Sequence, residues 1–317
     1  MWTSSFLIIA LLLGSLAERA VAGPKTVQSG TITVSGAFAL YPIMVTWSEA
    51  YQKENPSIRI DVSAGGAGKG MADVLGNLAD LGMVSREVSP EEKNRGAWAI
   101  AVTKDAVVAI ASARNPQSAM LAERGLSRNK AKAVWLSGAI KTWGHLTGTS
   151  DTKAIHVYTR SDACGAADVW AQYIGARQED LLGTGVFGDP GIVEAVKNDP
   201  LGIGYGNLNF VYDASSKRPV DGLMVIPLDQ DNSDSISASE QFYASRDDLT
   251  KAIADRRYPS PPARELYLVT HGVPKQEIVK QFLMWILSAE GQKYVVPSGY
   301  IVLPEARLRE QLKELQQ

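Results

Sequence analysis

VSAGGAGKGMADVLGNLADLGMVSRE, residues 62–87, is the stretch that decides the fold of this chain. It begins with a glycine-rich turn, Gly65 to Gly70, which follows an apparent strand and leads into a short helix with Met71, Val74 and Leu75 on one face. Such a turn leaves backbone N–H groups unpaired at a helix N-terminus, where the helix dipole favours negative charge. The turn therefore predicts an anion site, or else only a tight strand-to-helix connection whose glycines supply unusual dihedral angles.

The same strand–turn–helix pattern occurs at two further places. Residues 31–35 form a strand that leads through Gly36, Ala37, Phe38 and Ala39 into a helix. Two such units in succession predict a parallel α/β sheet with both turns at one edge, where ligands bind in sheets of this kind. A third start, residues 155–166, carries an arginine, Arg160, in its loop.

Two long apolar stretches predict strands that connect two lobes. Residues 98–113 are apolar and β-branched without a turn residue, which is typical of a buried strand, and residues 266–270 form a second such run. Between them, residues 192–198 predict a short helix. The charged tail, residues 305–317, is predicted to be a helix with a solvated face.

Composition excludes several classes of protein. The 317 residues suffice for two domains, and the formal net charge of -2 gives no basic surface for nucleic acid. A single cysteine, Cys164, excludes an internal disulfide framework, and three scattered histidines indicate no His/Cys zinc site. No metal, cofactor or catalytic motif is predicted, and we expect the protein not to be an enzyme.

The N-terminal residues predict a cleaved secretion signal. An apolar run from Phe6 to about Leu13 precedes Ala20, Val21 and Ala22, which resemble a signal peptidase site. The run is too short to span a bilayer comfortably. Residues 1–22 are therefore predicted to be removed, leaving a mature protein in the periplasm or secreted, without stable membrane insertion.

Five stretches, taken in order, cover nearly all of the mature chain. They are SGAFALYPIMVTWSEAYQKENP (35–56), AGGAGKG with ADLGMVSRE (64–87), VWLSGAIKTWGHL (134–146), NDPLGIGYGNLNF (198–210), and RELYLVTHGVP with FLMWILSAEGQKYVVPSGYIVLP (264–304). Each stretch alone is weakly specific. Together they resemble the phosphate-binding proteins of bacterial ABC transporters.

This resemblance implies an α/β protein with the two-lobe periplasmic-binding-protein fold, each lobe a mostly parallel sheet flanked by helices. It implies a first lobe from residues 23–104 plus 264–317 and a second from residues 105–263, joined by crossover strands. The implied function is that of an extracytoplasmic solute-binding protein that closes on a small anion by hinge motion, with phosphate as the first candidate. The implied protein partner is the permease of an ABC importer.

The resemblance also implies the positions of the ligand site, and here the side chains depart from the family. Family members hold phosphate with a hydroxyl in the first loop, a serine in the glycine turn, a carboxylate after the D-[FIL]-G segment, and an arginine followed by Ser-Gly-Thr. The arginine is matched by Arg160, while the other positions fall on Phe38, Ala67, Ser85 and Cys164-Gly165-Ala166. The full set of expected ligand-binding residues is Ala37, Phe38, Ala39, Gly66, Ala67, Lys69, Ser85, Arg86, Arg160, Cys164, Gly165 and Ala166.

These departures leave the ligand open. If each lost hydrogen bond is worth roughly 1 kcal/mol, losing four or five weakens binding on the order of a thousandfold. Another oxyanion held by backbone N–H groups and by Lys69, Arg86 and Arg160 is one alternative. A ligand-free or retuned sensor or adaptor that contacts a protein partner is a second, and a thiol enzyme at Cys164, beside a helix start and Arg160, is a third.

Overall fold

The computed structural model describes residues 29–316, so the predicted secretion signal lies outside the described residues. Within this range the chain alternates strands and helices. The strands are β1 Gly30–Gly36, β2 Ile58–Ala64, β3 Leu81–Val84, β4 Ala97–Ser112, β5 His156–Arg160, β6 Thr184–Val186, β7 Gly202–Asn207, β8 Leu223–Ile226 and β9 Ala263–His271.

The helices lie between the strands along the chain and after the last strand. They are α1 Tyr41–Glu54, α2 Ala67–Leu75, α3 Pro90–Asn94, α4 Ser118–Arg124, α5 Arg128–Trp135, α6 Trp143–Thr147, α7 Gly165–Ile174, α8 Gly188–Asn198, α9 Leu208–Val211, α10 Arg246–Ala254, α11 Glu277–Leu287, α12 Ala289–Gln292 and α13 Glu305–Gln316. Among the described residues no helix is both long and apolar enough to cross a bilayer.

The sheet has parallel strands at both ends and antiparallel strands in the middle. Its order is β2-β1-β3-β9-β4-β7-β5-β6, with β8 paired to β4. Strand β1 pairs in parallel with β2 and β3, and β5 pairs in parallel with β6 and β7. The turns after β1 and β2 therefore leave the same edge of the sheet, as the sequence predicts.

Two hydrophobic cores divide the described chain. One is built from residues of the 32–102 region together with residues 266–315, and the other almost entirely from residues 106–263. We call the parts around them lobe I and lobe II. In lobe I, α1 presents Ile43, Met44 and Trp47 to the core at helical spacing, and all three are fully buried.

Strands β4 and β9 connect the lobes. They pair antiparallel from Ala97 opposite His271 to Ala106 opposite Ala263, with an irregularity between Ala101 and Thr103. Strand β4 then continues into lobe II, where it pairs with β7 and β8. The predicted strand at residues 98–113 is thus confirmed, because it is buried on both faces.

A buried ion pair holds the two connecting strands together where they enter lobe II. The Nε of Arg264 donates to Oδ1 of Asp105 at 2.9 Å, and its Nη2 donates to the side chain of Asn207 on β7. Both charged side chains are less than one tenth exposed. A buried charge of this kind is stable only while its partner is present.

Two expected features differ in the structure. Helix α8 begins at Gly188, four residues before the start predicted at residue 192. Pro190 lies in its first turn, where a missing N–H is tolerated, so this proline does not prevent the earlier start. The expectation that the tail exposes only a solvated face is wrong in part. Gln311 and Leu315 of α13 are buried, and Gln311 Oε1 accepts a hydrogen bond of 2.7 Å from the Ala101 backbone N–H.

Candidate functional site

The glycine turn of lobe I lies directly against lobe II. The N–H groups of Gly65 and Gly66 both donate to the Gly36 carbonyl oxygen, which ties the turns after β1 and β2 together. The Gly66 backbone has φ 94°, and a Cβ atom there would lie 2.8 Å from Oδ2 of Asp162. This close approach and positive φ require glycine at position 66.

Two further contacts close the cleft between the lobes. The Gly68 N–H donates to the Ala163 carbonyl oxygen at 3.0 Å, which joins α2 of lobe I to the loop before α7 of lobe II. A side chain at Gly165, the first residue of α7, would overlap the backbone and side chain of Ser85. The structure is therefore a closed form, in which the three predicted turns meet.

Arg160, at the end of β5, lies between two carboxylates of its own lobe. Its Nε and Nη2 donate to Asp162 at 2.8 and 2.7 Å, and its Nη1 donates to Asp189 at 2.8 Å. The side chains of Arg160, Asp162 and Asp189 are 1%, 7% and 1% exposed. Burial alone lowers the pKa of Arg160, but the carboxylates of Asp189 and Asp162 outweigh it, so that the pKa is raised and the guanidinium stays charged.

The Asp162 carboxylate occupies the kind of position in which an arginine-bound anion sits. Besides the fork of Arg160, its Oδ1 accepts a hydrogen bond of 3.2 Å from the N–H of Gly188, the first residue of α8. An arginine fork plus a helix N-terminal N–H is an arrangement that binds oxyanions. The three side chains together carry one positive and two negative charges, so the centre of the site is not positive.

Among the described residues, five backbone N–H groups at the starts of helical segments in the predicted site are unpaired. Within residues 29–316, no hydrogen-bond partner is found for the N–H groups of Phe38 and Ala39 in the short 3-10 turn before α1, of Ala67 at the start of α2, and of Gly165 and Ala166 at the start of α7. These residues all belong to the predicted site. Unpaired N–H groups at helix starts are the backbone part of an anion site.

Phe38 forms a wall of the cleft. Its ring lies 5.7 Å from the guanidinium carbon of Arg160 and packs edge-on against Phe187 and Phe210 of lobe II. Position 38 therefore offers a ring face where the family has a hydroxyl group. Ala37 and Ala39 beside it are buried and contribute only backbone atoms and methyl groups.

The two additional cations of lobe I are paired within their own lobe. Lys69 donates to Ser35 Oγ at 3.1 Å and to Asp73, and hydrogen bonds from Lys69 and Ser35 outweigh burial and lower the pKa of Asp73. Arg86 binds both oxygens of Glu92 at 2.7 and 2.8 Å, and that hydrogen bonding raises its pKa. An anion contact from Lys69 or Arg86 stays a prediction, because each side chain must first break its ion pair with Asp73 or Glu92.

Cys164 acts as the N-cap of α7. Its Sγ accepts a hydrogen bond from the Ala167 N–H at 3.4 Å, and the side chain is buried. Burial raises the pKa of the thiol to about 12, against the lowering effect of Arg160. The thiol is therefore protonated near neutral pH, which is not the state of a nucleophilic cysteine.

Neither of the two carboxylates that bind Arg160, those of Asp162 and Asp189, was predicted from the sequence. Asp162 follows Arg160 by two residues in the sequence, but the direction of its side chain depends on the backbone conformation of the loop after β5. Asp189 lies 29 residues from Arg160, and only the packing of α8 against β5 and β7 brings it near.

Two lobes joined by crossover strands, with helix starts and an arginine facing a common cleft, define a binding protein of the bilobal periplasmic type. The chain belongs to the family described as the PBP superfamily domain, whose model matches residues 22–290. The fold predicted from the sequence is confirmed.

Relatives and solved structures agree with this assignment. The chain is 25% identical over 315 residues to the phosphate-binding protein PstS of Bacillus subtilis (strain 168), covering 96% of this chain and 93% of that protein. It is 26% identical over 314 residues to PstS of Pseudomonas aeruginosa PAO1, covering 90% and 87%. The resemblance to phosphate-binding proteins is thus confirmed.

Two solved structures share the fold. One, from Clostridium perfringens, is described as a phosphate ABC transporter substrate-binding protein with bound phosphate. It has a TM-score of 0.71 and 22% identity, and the match covers 87% of this chain and 100% of that one. An ABC-type phosphate transport receptor from Vibrio cholerae gives 0.63 and 19%, with 86% and 100% covered.

Proposed function

We propose that this chain is the extracytoplasmic solute-binding protein of an ABC importer and that it closes on a small oxyanion, with phosphate as the first candidate. The observation that carries this proposal is the set of unpaired backbone N–H groups at three helix starts around Arg160. The names of the relatives, which are phosphate-binding proteins, support the same ligand. The permease of the importer is the proposed protein partner, and the periplasm or the cell exterior the proposed location.

The proposed lobes have the bounds 23–104 plus 264–317 and 105–263. The two separate cores and the crossover of β4 and β9 support this division. Opening and closing then takes place about the residues near 104 and 264, where both strands pass from one core to the other.

Isothermal titration of the mature protein tests the ligand. We expect saturable heat with phosphate, weaker with sulfate and molybdate, and a dissociation constant weakened by the missing hydroxyl groups. Phe38→Asp places a carboxylate beside Arg160 and should abolish phosphate binding, whereas Leu78→Asp, at a position 76% exposed, should leave it unchanged. The absence of any heat at millimolar phosphate removes phosphate transport from consideration.

A second function is favoured by a specific observation. Because Asp162 and Asp189 already satisfy the fork of Arg160, this arginine needs no external anion as a counter-ion, as is expected of a bilobal adaptor or sensor. Leu78 and Val273, 76% and 48% exposed, flank the hydrogen-bonded Asn77 and His271 and give lobe I an apolar surface outside the cleft. A wild-type protein that binds none of the three oxyanions, yet is retained by a partner protein through this surface, supports the adaptor.

A further inference from the structure

A cavity between the lobes, away from the anion cleft, contains a buried arginine. It is formed by α10 of lobe II and by the segment 296–302 of lobe I, and its volume is about 640 Å³. Its walls are mainly apolar, from Ala254, Val296, Pro297, Ile301, Val302 and the ring of Tyr300. The charged lining residues are Lys217, Arg246, Asp247 and Lys251, which carry a net charge of +2.

Arg246 lacks the counter-ion that a buried arginine normally has. Its side chain is 3% exposed, and the carboxylate paired with it in the described chain, that of Asp247, is 3.9 Å away and largely exposed to solvent. Its Nε atom is buried without a hydrogen-bond partner among residues 29–316, and its Nη2 donates only to the Pro297 carbonyl oxygen at 3.3 Å.

This arrangement is energetically unfavourable unless something is bound. Buried charges in proteins are paired, because desolvation penalises an isolated ion and an unmade hydrogen bond. Burial accordingly lowers the pKa of Arg246, and Asp247 offsets that only in part. A carboxylate in the cavity would supply the missing negative charge and an acceptor for the guanidinium.

We propose that this cavity binds a small amphipathic carboxylate, with the carboxylate at Arg246 and an unbranched apolar chain along Val296, Pro297 and Val302. The class of ligand follows from the lining, because ligand pockets combine apolar walls with a few polar groups that fix orientation. Two exposed valines, Val296 at 62% and Val302 at 38%, offer an apolar surface to the alkyl chain of the ligand. This surface is in contact with water when no ligand covers it. An inorganic oxyanion has no apolar part that could pack against these walls.

The site is linked to the cleft through one residue. The ring of Tyr300 lines the cavity, and its hydroxyl donates a hydrogen bond of 2.7 Å to the carbonyl oxygen of Ala39 in the first loop of the cleft. Since the cavity also has walls from both lobes, occupation favours the closed form. This inference does not depend on phosphate being the ligand of the cleft.

Titration calorimetry with sodium octanoate, kept below micelle-forming concentrations, tests the proposal. We expect one saturable site in the wild-type protein, and a dissociation constant at least tenfold larger for octan-1-ol, which has the same chain without the charge. Val296→Glu adds a negative charge at an exposed rim position and should raise the dissociation constant for octanoate at least tenfold. Arg246→Met, which keeps an unbranched apolar stem but removes the guanidinium, should do the same.

Leu78→Glu, a change of the same kind at an exposed residue of lobe I outside the cavity, is the matched control and should bind octanoate like the wild type. If Arg246→Met does not fold, Val296→Glu still tests the proposal, because the side chain at position 296 lies mostly in solvent. The proposal is overturned if octanoate shows no saturable binding, if octan-1-ol binds equally well, or if Val296→Glu binds octanoate as tightly as the wild type.

Discussion

Asp162 determines how strongly an external anion can bind to Arg160. Its carboxylate accepts two hydrogen bonds from the guanidinium and one from the Gly188 N–H, at 2.7 to 3.2 Å. An incoming oxyanion either displaces this carboxylate or binds beside it on the free N–H groups. In both cases a fixed negative charge opposes it, in a site where solvent screens little.

Replacing Asp162 by Asn should therefore tighten phosphate binding. The change removes the charge and frees part of the guanidinium, and hydrogen bonds to charged groups are worth about 1.5–3 kcal/mol, which corresponds to roughly tenfold to a hundredfold in affinity. Titration calorimetry measures the effect, with Asp221→Asn at an exposed position as control. Unchanged or weaker phosphate binding by Asp162→Asn contradicts the competition between Asp162 and the ligand.

Cys164 gives a second prediction, about stability at high pH. The folded thiol has a pKa raised to about 12, whereas an unfolded cysteine titrates near 8.5, so between these values the unfolded state holds fewer protons. The stabilisation is complete below about pH 8.5 and is lost as the pH rises towards 12. Urea unfolding from pH 7 to 11 should show a steeper decline in free energy for the wild type than for Cys164→Ser.

The serine variant is a fair comparison because its hydroxyl also caps α7, while all buried tyrosines remain in both proteins. Parallel pH profiles of the two proteins would show that Cys164 is not protected from ionisation. The same burial predicts that iodoacetamide leaves the folded wild-type protein unlabelled near neutral pH.

At the scale of elements, the starts of α2 and α7 form the contact that closes the cleft. Helix α2 donates the Gly68 N–H to Ala163, and α7 begins with Gly165 directly on Ser85. Both helices have glycine where the opposite lobe approaches within contact distance. The absence of a side chain at these positions thus allows the lobes to approach each other, independently of any role in ligand binding.

Gly165→Ala should hold the lobes apart without unfolding either one. The added methyl group overlaps Ser85 of lobe I but is an ordinary residue for the first turn of a helix. Small-angle scattering should give a larger radius of gyration than for the wild type, and phosphate affinity should fall at least tenfold. Gly76→Ala, at the C-terminal end of α2, is the control. A variant as compact as the wild type would show that Gly165 does not limit closure.

The elements were largely predictable from the sequence, whereas the interior of the site was not. Glycine turns, apolar periodicity and the apolar run of β4 are local signals, and the structure has a strand or helix at each of them. The buried face of α13 has such a signal in Leu308, Leu312 and Leu315, which lie at helical spacing and pack on the core of lobe I, but the high charge of the tail favoured a solvated helix. The burial of Gln311 had no local signal, because this residue is polar and bonds to the distant Ala101. Likewise, Asp189 reaches Arg160 only after α8 packs on the sheet.

At the scale of the whole molecule, the Asp105–Arg264 pair joins the two connecting strands where lobe I meets lobe II. Burial raises the pKa of Asp105, and Arg264 counteracts this only in part. Removing one partner leaves an uncompensated charge in the interior. We therefore expect the ion pair to contribute mainly by fixing the positions of β4 and β9 where they pass from one core to the other.

Arg264→Ala should destabilise the protein by about 3–5 kcal/mol, measured as the free energy of urea unfolding. The double variant Asp105→Asn with Arg264→Met should recover a large part of this, because it leaves no unpaired charge. A double variant as unstable as Arg264→Ala would mean that shape, and not charge, is what the pair contributes.

The discontinuity of lobe I has a consequence for the order in which the chain folds. Its core depends on contacts between distant residues, such as the 2.8 Å hydrogen bond from Trp47 Nε1 to the Gly291 carbonyl oxygen, 244 residues apart. Lobe II is formed from one continuous segment and can complete its core as soon as that segment has been synthesised. The first 70 or so described residues must wait for residues 264–316, so during synthesis lobe I is the part exposed to proteases and chaperones the longest.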